Sequence, residues 1–274
     1  MKHFIARRSL LAMCGTGAAA FALTLHAGAA GAAGTPAASP PLTVGMHYVV
    51  PPFIGGAKVR TPEAIDTALA ERLAERLKAA LQAVSVRSVP ADPSALKEGG
   101  QLVLASIPPG TAVPASFIEV PTGYRAAPMA IMRSDTDIKS WEQLSGRTVC
   151  VSEGGRHAGV IAARYGAIEK VFKAPADSLL ALRTGGCDAA VHDDVMLNEL
   201  LKLPEWKKFS AALTAEKEGG LSFLVPANEA VTVGAVKTMT QEWKAEGYLD
   251  TLQRERARDI AFEVYLDQTV SDCH

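Results

Sequence analysis

The chain has 274 residues, of which 48% are hydrophobic and 21% are charged. This composition excludes a disordered chain, a collagen and a disulfide-dense miniprotein, and the length allows one or two domains. The formal net charge of −1 argues against a nucleic-acid partner recruited by overall charge.

The N-terminal segment has the layout of a secretory signal peptide. Lys2, Arg7 and Arg8 form a positive start, an uncharged stretch covers residues 9–25, and small residues follow. We therefore predict a cleaved signal peptide over residues 1–33, and with it a periplasmic location.

Two variants of this export route stay open. The pair Arg7-Arg8 is compatible with a twin-arginine signal, and Cys14 is compatible with a lipid tether. No later stretch of about 18 apolar residues follows, so the mature chain is predicted to carry no membrane span.

The front half of the mature chain predicts a β-α-β-β order. Ile65, Leu69 and Leu73 recur every fourth residue while charged residues fill the opposite face, which is typical of an amphipathic helix. The predicted elements are a buried strand at 42–46, a helix over 62–83, and strands at 84–89 and 102–106.

The remainder alternates strands with helices. Gly247 is expected to interrupt a long final helical region. The predicted elements are an apolar segment at 128–132, a short helix at 138–144, a strand at 148–151, a helix at 157–165, a short strand at 171–172, a helix at 177–183, a strand at 188–191, a helix at 194–203, a strand at 221–225 and helical structure over 229–253.

This alternation predicts two lobes with parallel sheets and helices on both faces. Ligands of such folds bind beyond the carboxyl ends of the strands. The candidate site loops are therefore residues 48–53, 106–111, 152–157 and 192–194.

The cysteines agree with an oxidising compartment. Cys150, Cys187 and Cys273 remain after signal removal, so at most one internal disulfide can form. No Cys-x-x-Cys pair is present, so neither a zinc site nor a redox centre has its usual signature.

Several segments, in order, resemble the solute-binding proteins of polar amino-acid ABC importers. Residues 138–149 (IKSWEQLSGRTV) resemble the family's IKSLEDLKGKTV, and residues 181–193, which include DAAVHD, resemble ALxxGxxDAVVxD. Residues 221–226 resemble the family's returning strand, and residues 243–247 its LKADGTYDKI helix. The resemblance covers nearly the whole mature chain.

The resemblance implies an α/β fold of two Rossmann-like lobes joined by a two-crossing hinge, the type II periplasmic binding protein fold. Lobe 1 would hold residues 34–128 and 223–274, and lobe 2 would hold residues 129–222. The implied partners are a small polar ligand and an inner-membrane ABC permease. The protein is expected to be a monomer without a cofactor.

The resemblance also assigns site residues. Tyr48 and Phe53 would sandwich the ligand, and Asp193 would hold its ammonium group. Ser106 and Thr111 lie in a cleft loop. The turn at Gly155 is expected to open a helix whose free N–H groups and dipole hold a carboxylate.

One family element is missing. The family places an arginine about six residues before a Phe-Ser/Asp-Pro stretch, but residues 107–117 contain no cation. Arg156, beside the predicted helix start, or Arg125, near a crossing, is the candidate substitute. Alternatively, the ligand has no α-carboxylate.

Structural alternatives remain for these residues. Tyr48 and Phe53 could be loop packing, and Asp193 could cap the helix that begins at Asp194. Adjacent residues at a strand end point in different directions, so no metal site is predicted around His192. In the family's strand order Cys150 and Cys187 lie on neighbouring strands, with Cys273 as the competing partner.

Three functional classes remain. The favoured one is a binding protein for an amino acid or a related amine, without catalysis. An accessory or sensory protein could retain the scaffold without a role in transport. A cyclohexadienyl-dehydratase-like enzyme would need a general acid in the cleft, and Glu153 or Asp193 could serve.

Overall fold

The computed structural model describes residues 40–52, 54–56, 58–86, 102–215 and 220–269. They contain ten strands and six α-helices. In chain order they are β1 (Leu42–Met46), α1 (Asp66–Leu77), β2 (Leu81–Ser85), β3 (Leu102–Ile107), β4 (Phe117–Pro121), β5 (Pro128–Met132), β6 (Thr148–Ser152), α2 (Val160–Tyr165), β7 (Ile168–Phe172), α3 (Pro175–Arg183), β8 (Ala189–Asp193), α4 (Asp194–Leu200), β9 (Ala211–Thr214), β10 (Gly220–Pro226), α5 (Ala230–Glu246) and α6 (Tyr248–Asp267). Trp141–Leu144 and Pro204–Phe209 are short 3-10 helices.

The strands form two five-stranded sheets, in the orders β2-β1-β3-β10-β4 and β7-β6-β8-β5-β9. In each sheet three strands run parallel. Helix α1 joins β1 to β2, α2 joins β6 to β7, and α3 joins β7 to β8. The other pairings are antiparallel: β10 pairs with β3 and β4, and β5 pairs with β8 and β9. The expectation of wholly parallel sheets is therefore wrong, because β5 and β10 each enter from the opposite sheet.

Two connections run between the sheets. The chain leaves the first sheet after Pro121 and enters the second at Pro128, and it returns between Thr214 and Gly220. The first connection is hydrogen-bonded to the start of β10: the Thr122 hydroxyl donates to the Leu221 carbonyl at 2.7 Å, and the Leu221 N–H donates to the Tyr124 carbonyl at 2.9 Å.

The predicted boundaries of α1 and β2 were wrong. The predicted helix over 62–83 spans only Asp66–Leu77, because Lys78 adopts a left-handed conformation with φ of 53°. Its backbone N–H caps the last turn, and the chain then enters β2 at Leu81 rather than at Val84. Gly247, with φ of 63°, separates α5 from α6 as predicted.

Each sheet has its own apolar core. The first core combines β1, β3 and β10 with α1 and with α5, which contributes Val236, Met239 and Trp243. The cores of the second sheet include α3, α4 and three residues of α6, Ile260, Ala261 and Val264. The last helix thus packs on α3 and α4. The division into residues 34–128 with 223–274 against 129–222 stays a prediction.

A disulfide joins Cys150 on β6 to Cys187, which lies just before β8, with their Cα atoms 5.9 Å apart. The structure therefore selects this pair from the alternatives that the sequence left open. Cys273 lies outside the described residues.

Candidate functional site

A cavity of about 370 Å³ lies between the two sheets. Its wall on the side of the first sheet includes His47, Asp66 and Ser106, and its wall on the side of the second includes Arg156 and His157. Because both sheets supply residues, a molecule held there would contact each of them. We call this space the inter-sheet cavity.

Asp66 and Arg156 face each other at this cavity. Asp66 begins α1 and is only 2% exposed, and its Oδ1 lies 3.6 Å from Arg156 Nη2. No hydrogen bond reaches Asp66 Oδ1 from the described residues. Burial raises the pKa of Asp66, although the nearby Arg156 charge opposes that shift.

The Arg156 side chain is held in place by several neighbours. Its guanidinium lies over the Tyr124 ring, 5.3 Å from the ring centroid. Burial acts to lower the pKa of Arg156, but the carboxylates of Asp193 and Asp66 outweigh it and raise the pKa overall. Arg156 therefore stays a cation at the cavity wall.

Asp193 lies at the end of β8 and is 5% exposed. Its Oδ1 is 2.8 Å from His157 Nε2, and its Oδ2 accepts a hydrogen bond from the Tyr124 hydroxyl at 2.5 Å. Burial opposes ionisation, but the bond from His157 and the charge of Arg156 lower the pKa of Asp193 overall. Both carboxylate oxygens are thus bound by donors of the same chain.

Glu63, which precedes α1, completes this polar group. Its Oε2 accepts hydrogen bonds from the Ser152 hydroxyl and, at 2.9 Å, from His192 Nδ1, while its Oε1 is 3.2 Å from the Asp193 amide nitrogen. His192 Nε2 is 2.9 Å from the Ser178 hydroxyl. If His192 carries its proton on Nδ1, it donates to Glu63 and accepts from Ser178, so every group is satisfied.

We call these seven residues the Glu63 cluster; its members are Glu63, Tyr124, Ser152, His157, Ser178, His192 and Asp193. The cluster is anchored from α6, where Arg256 donates to the carbonyls of Pro62 and, at 2.9 Å, of Glu63. It therefore ties the segment before α1 to β6 and β8 of the second sheet.

Tyr48 lies against the turn that follows β6. A Cβ atom on Gly154 would come within 2.5 Å of the Tyr48 ring, and φ at Gly154 is +75°, so only glycine fits there. A Cβ atom on Gly155 would lie 2.7 Å from Glu63 Oε2. The two glycines allow the segments of the first sheet to approach this turn. Phe53, the predicted partner of Tyr48, lies outside the described residues.

The predicted helix start at Gly155 was wrong. The helix α2 begins at Val160, and the Gly155 N–H donates to the Ser152 carbonyl at 3.1 Å. The N–H groups of Gly159 and Ala162 donate to the Glu169 carboxylate at 2.6 and 2.7 Å. A carboxylate of the same chain therefore caps this helix.

The remaining predicted site residues do not all line the inter-sheet cavity. Ser106 lines the inter-sheet cavity, as does Arg156. Thr111 is exposed in a turn, where its N–H donates to the Pro108 carbonyl at 3.2 Å. Arg125 lines a separate surface depression beside Val195 and Leu249. Of the two candidate arginines, only Arg156 lines the inter-sheet cavity.

Neither Asp66 nor Glu63 was predicted from the sequence as a site residue. A usable signal was present, because Asp66 falls in helical phase with Leu69 and Leu73, on the apolar face of α1. Glu63 precedes Asp66 by three residues and continues that face. Acidic residues on an apolar face need buried partners or a ligand.

Neither a membrane-spanning helix nor a metal-binding cluster is found among the described residues. No helix among them has the length and apolar character that a membrane crossing requires. No group of three or more histidine, cysteine or acidic side chains among them is arranged to hold a metal ion.

No protein-family model and no curated protein matches the sequence. Solved structures match the fold. The amino-acid ABC transporter substrate-binding protein AbpA from Streptococcus pneumoniae, bound to L-arginine, is 16% identical, with 80% of this chain and 95% of that chain covered and a TM-score of 0.50. An ancestral cationic amino-acid solute-binding protein is 19% identical, with 78% and 94% covered and a TM-score of 0.50.

An arginine transport-system periplasmic binding protein from Legionella pneumophila is 21% identical, with 80% of this chain and all of that chain covered, at a TM-score of 0.44. The two matches with a TM-score of 0.50 show the fold: two mixed five-stranded sheets with helices, the type II periplasmic binding protein fold. It is the scaffold of amino-acid-binding proteins of ABC transporters.

Proposed function

We propose that this protein binds a small polar solute, an amino acid or a related amine, in the inter-sheet cavity and delivers it to an inner-membrane ABC permease. The observation that carries the proposal is the cavity itself, which both sheets line and which contains the Arg156 cation opposite the buried Asp66 carboxylate. The opposite charges suit a zwitterion or an amine.

The two sheets would belong to two lobes that move about the connections between them, one of which covers residues 122–127. A ligand that contacts both walls would stabilise the closed arrangement, and the permease would recognise that form. Binding without chemical conversion is proposed.

The location proposed is the periplasm, after removal of the N-terminal segment. The charge pattern of residues 1–33 supports export. The Cys150–Cys187 disulfide also supports an oxidising compartment.

A thermal-shift screen tests the proposal. The mature chain, refolded to remove any carried ligand, is melted with single L-amino acids, amines, dicarboxylates and prephenate. A ligand at about one hundred times its dissociation constant adds about 2.7 kcal/mol, or about 5–11 °C for a chain of this size. A saturable shift with one ligand class, and no product formed, is expected. Conversion of prephenate would contradict a pure binding role.

An accessory or sensory role without transport is the second candidate. The observation that favours it is that Asp193, the predicted ammonium ligand, has both oxygens bound by Tyr124 and His157. A cleft held together only by its own side chains would need no solute. This candidate predicts that no compound of the panel, even at millimolar concentration, raises the melting temperature.

A further inference from the structure

Asp66 has an acceptor oxygen with no hydrogen-bond donor among the described residues. Its Oδ1 is buried, and the nearest cation, Arg156 Nη2, lies 3.6 Å away, beyond hydrogen-bond distance. Buried carboxylates are normally hydrogen-bonded, because removal from water without a partner is unfavourable. An orphaned oxygen on a cavity wall is therefore a place where a bound molecule can supply the donor.

The chemistry of the two facing groups defines that molecule. An ionised aspartate only accepts hydrogen bonds, and an ammonium group is its strongest small donor. Arg156 only donates, and its planar guanidinium suits a carboxylate. An α-amino acid carries both complementary groups on one carbon, so it matches opposite charges placed this close together.

We infer that Asp66 binds the ammonium group and Arg156 the carboxylate of an α-amino acid whose side chain carries no positive charge; this inference rests on the proposed function. Asp193, the residue assigned to the ammonium by resemblance, is left to hold His157 and Tyr124.

The rest of the cavity wall restricts the side chain of the ligand. Asp66 is the one acidic residue among the described residues that line the cavity, whereas Arg164 joins Arg156 there. The remaining wall is largely apolar, with Val160, Ile161 and Leu221 among its members. With Asp66 engaged by the α-ammonium, a lysine or arginine side chain would find no second carboxylate, so neutral amino acids are favoured.

The test is a thermodynamic cycle. It combines removal of the Asp66 charge from the protein with removal of the amino group from the ligand. The probes are the L-amino acid with the largest thermal shift and the carboxylic acid that lacks its amino group, both titrated by calorimetry. The wild-type protein should bind the amino acid at least tenfold more tightly than its des-amino analogue. Asp66→Asn should bind the amino acid at least tenfold more weakly and lose most of that preference.

Matched variants separate this role from a folding defect. Asp259→Asn makes the same change on the exposed face of α6 and should leave both affinities unchanged. The melting temperature of unliganded Asp66→Asn reports on folding. In Asp193→Asn the preference for the amino group should persist, even if the affinity falls for both probes.

Each contrary result has a distinct meaning. If an amino acid binds and Asp66→Asn keeps the full preference, or if Asp193→Asn alone abolishes it, the inference is overturned and the proposed function stands. Tighter binding of lysine or arginine than of every neutral amino acid would overturn the assignment of the side chain. If no amino acid binds the wild-type protein, the inference fails; if no amine of the thermal-shift panel binds either, the proposed function fails with it.

Discussion

Two buried carboxylates between the sheets, Glu63 and Asp66, are three residues apart in sequence and differ in how their charge is satisfied. Glu63 accepts from Ser152 and His192, and its second oxygen lies within hydrogen-bond distance of the Asp193 amide. Asp66 lines the inter-sheet cavity and has one oxygen that no hydrogen-bond donor of the described residues reaches.

This difference in hydrogen bonding indicates a structural role for Glu63 and a binding role for Asp66. A carboxylate with a full set of donors stabilises the arrangement of its neighbours, and losing it leaves those donors buried and unpaired. A buried carboxylate with an oxygen that lacks a donor is unfavourable in the unliganded fold but gains a strong partner when an ammonium arrives. Burial does not distinguish the two carboxylates, because both are buried. Their hydrogen-bond partners do distinguish them.

The largest effect is expected from Glu63→Ala. The change removes an acceptor that is 8% exposed and leaves His192, Ser152 and the Asp193 amide without it. Unfolding free energy should fall by about 3 kcal/mol. Differential scanning calorimetry should show a melting temperature lower by about 6–12 °C.

The matched control is Glu71→Ala on the exposed face of α1, which should change the melting temperature by less than about 2 °C. Equal, small effects of the two substitutions would show that the Glu63 cluster does not hold the sheets together.

An intermediate effect is expected from His157→Gln, and it should depend on pH. Hydrogen bonding to His157 lowers the pKa of Asp193 from 3.8, so that contribution to stability is lost as pH falls through the folded-state value. Burial opposes protonation of His157, but Asp193 raises its pKa from 6.5, so its contribution is lost as pH rises through the folded-state value. The wild-type advantage should be largest between pH 3.8 and 6.5.

Chemical denaturation of both proteins from pH 3 to 9 measures how the stability difference between them depends on pH. Groups that face the pair, namely Arg156, Glu63 and Tyr124, are unchanged by the substitution. A wild-type advantage that stays constant from pH 3 to 9 would contradict the assigned ion pair.

The smallest effect on stability is expected from Asp66→Asn. Burial raises the pKa of Asp66 above 3.8, so its charged form is disfavoured in the fold and stability decreases as pH rises through that shifted value. The neutral amide avoids this cost. At pH 7 the variant should melt within about 3 °C of the unliganded wild type or above it. A loss as large as that of Glu63→Ala would place Asp66 among the structural carboxylates.

The periodicity of the sequence predicted the elements better than their pairing. The strand at Leu42–Met46 and the break at Gly247 were predicted correctly, because they depend on local chemistry. Strand β4 was missed, and the antiparallel placement of β10 depends on contacts with β3 and β4 that lie more than one hundred residues away. Such long-range pairing leaves no periodic signal in a single sequence.

The candidate site was predictable in part. Arg156 and Ser106 line the cavity because strand ends of both sheets meet there. The partners of Asp193 could not be predicted, since Tyr124 lies in a connection and His157 in a turn. Resemblance supplied a role for Asp193 but could not show that its oxygens were already bound by the chain.

The assignment of the ligand ammonium to Asp66 is tested most directly by the pKa values of Asp66 and Asp193. Carboxyl carbon-13 NMR measures both values with and without a bound neutral amino acid. Binding should lower the pKa of Asp66, because an ammonium favours its charged form, while the already depressed pKa of Asp193 should stay unchanged. A pKa change at Asp193 with none at Asp66 would contradict this assignment and return the ammonium to the end of β8.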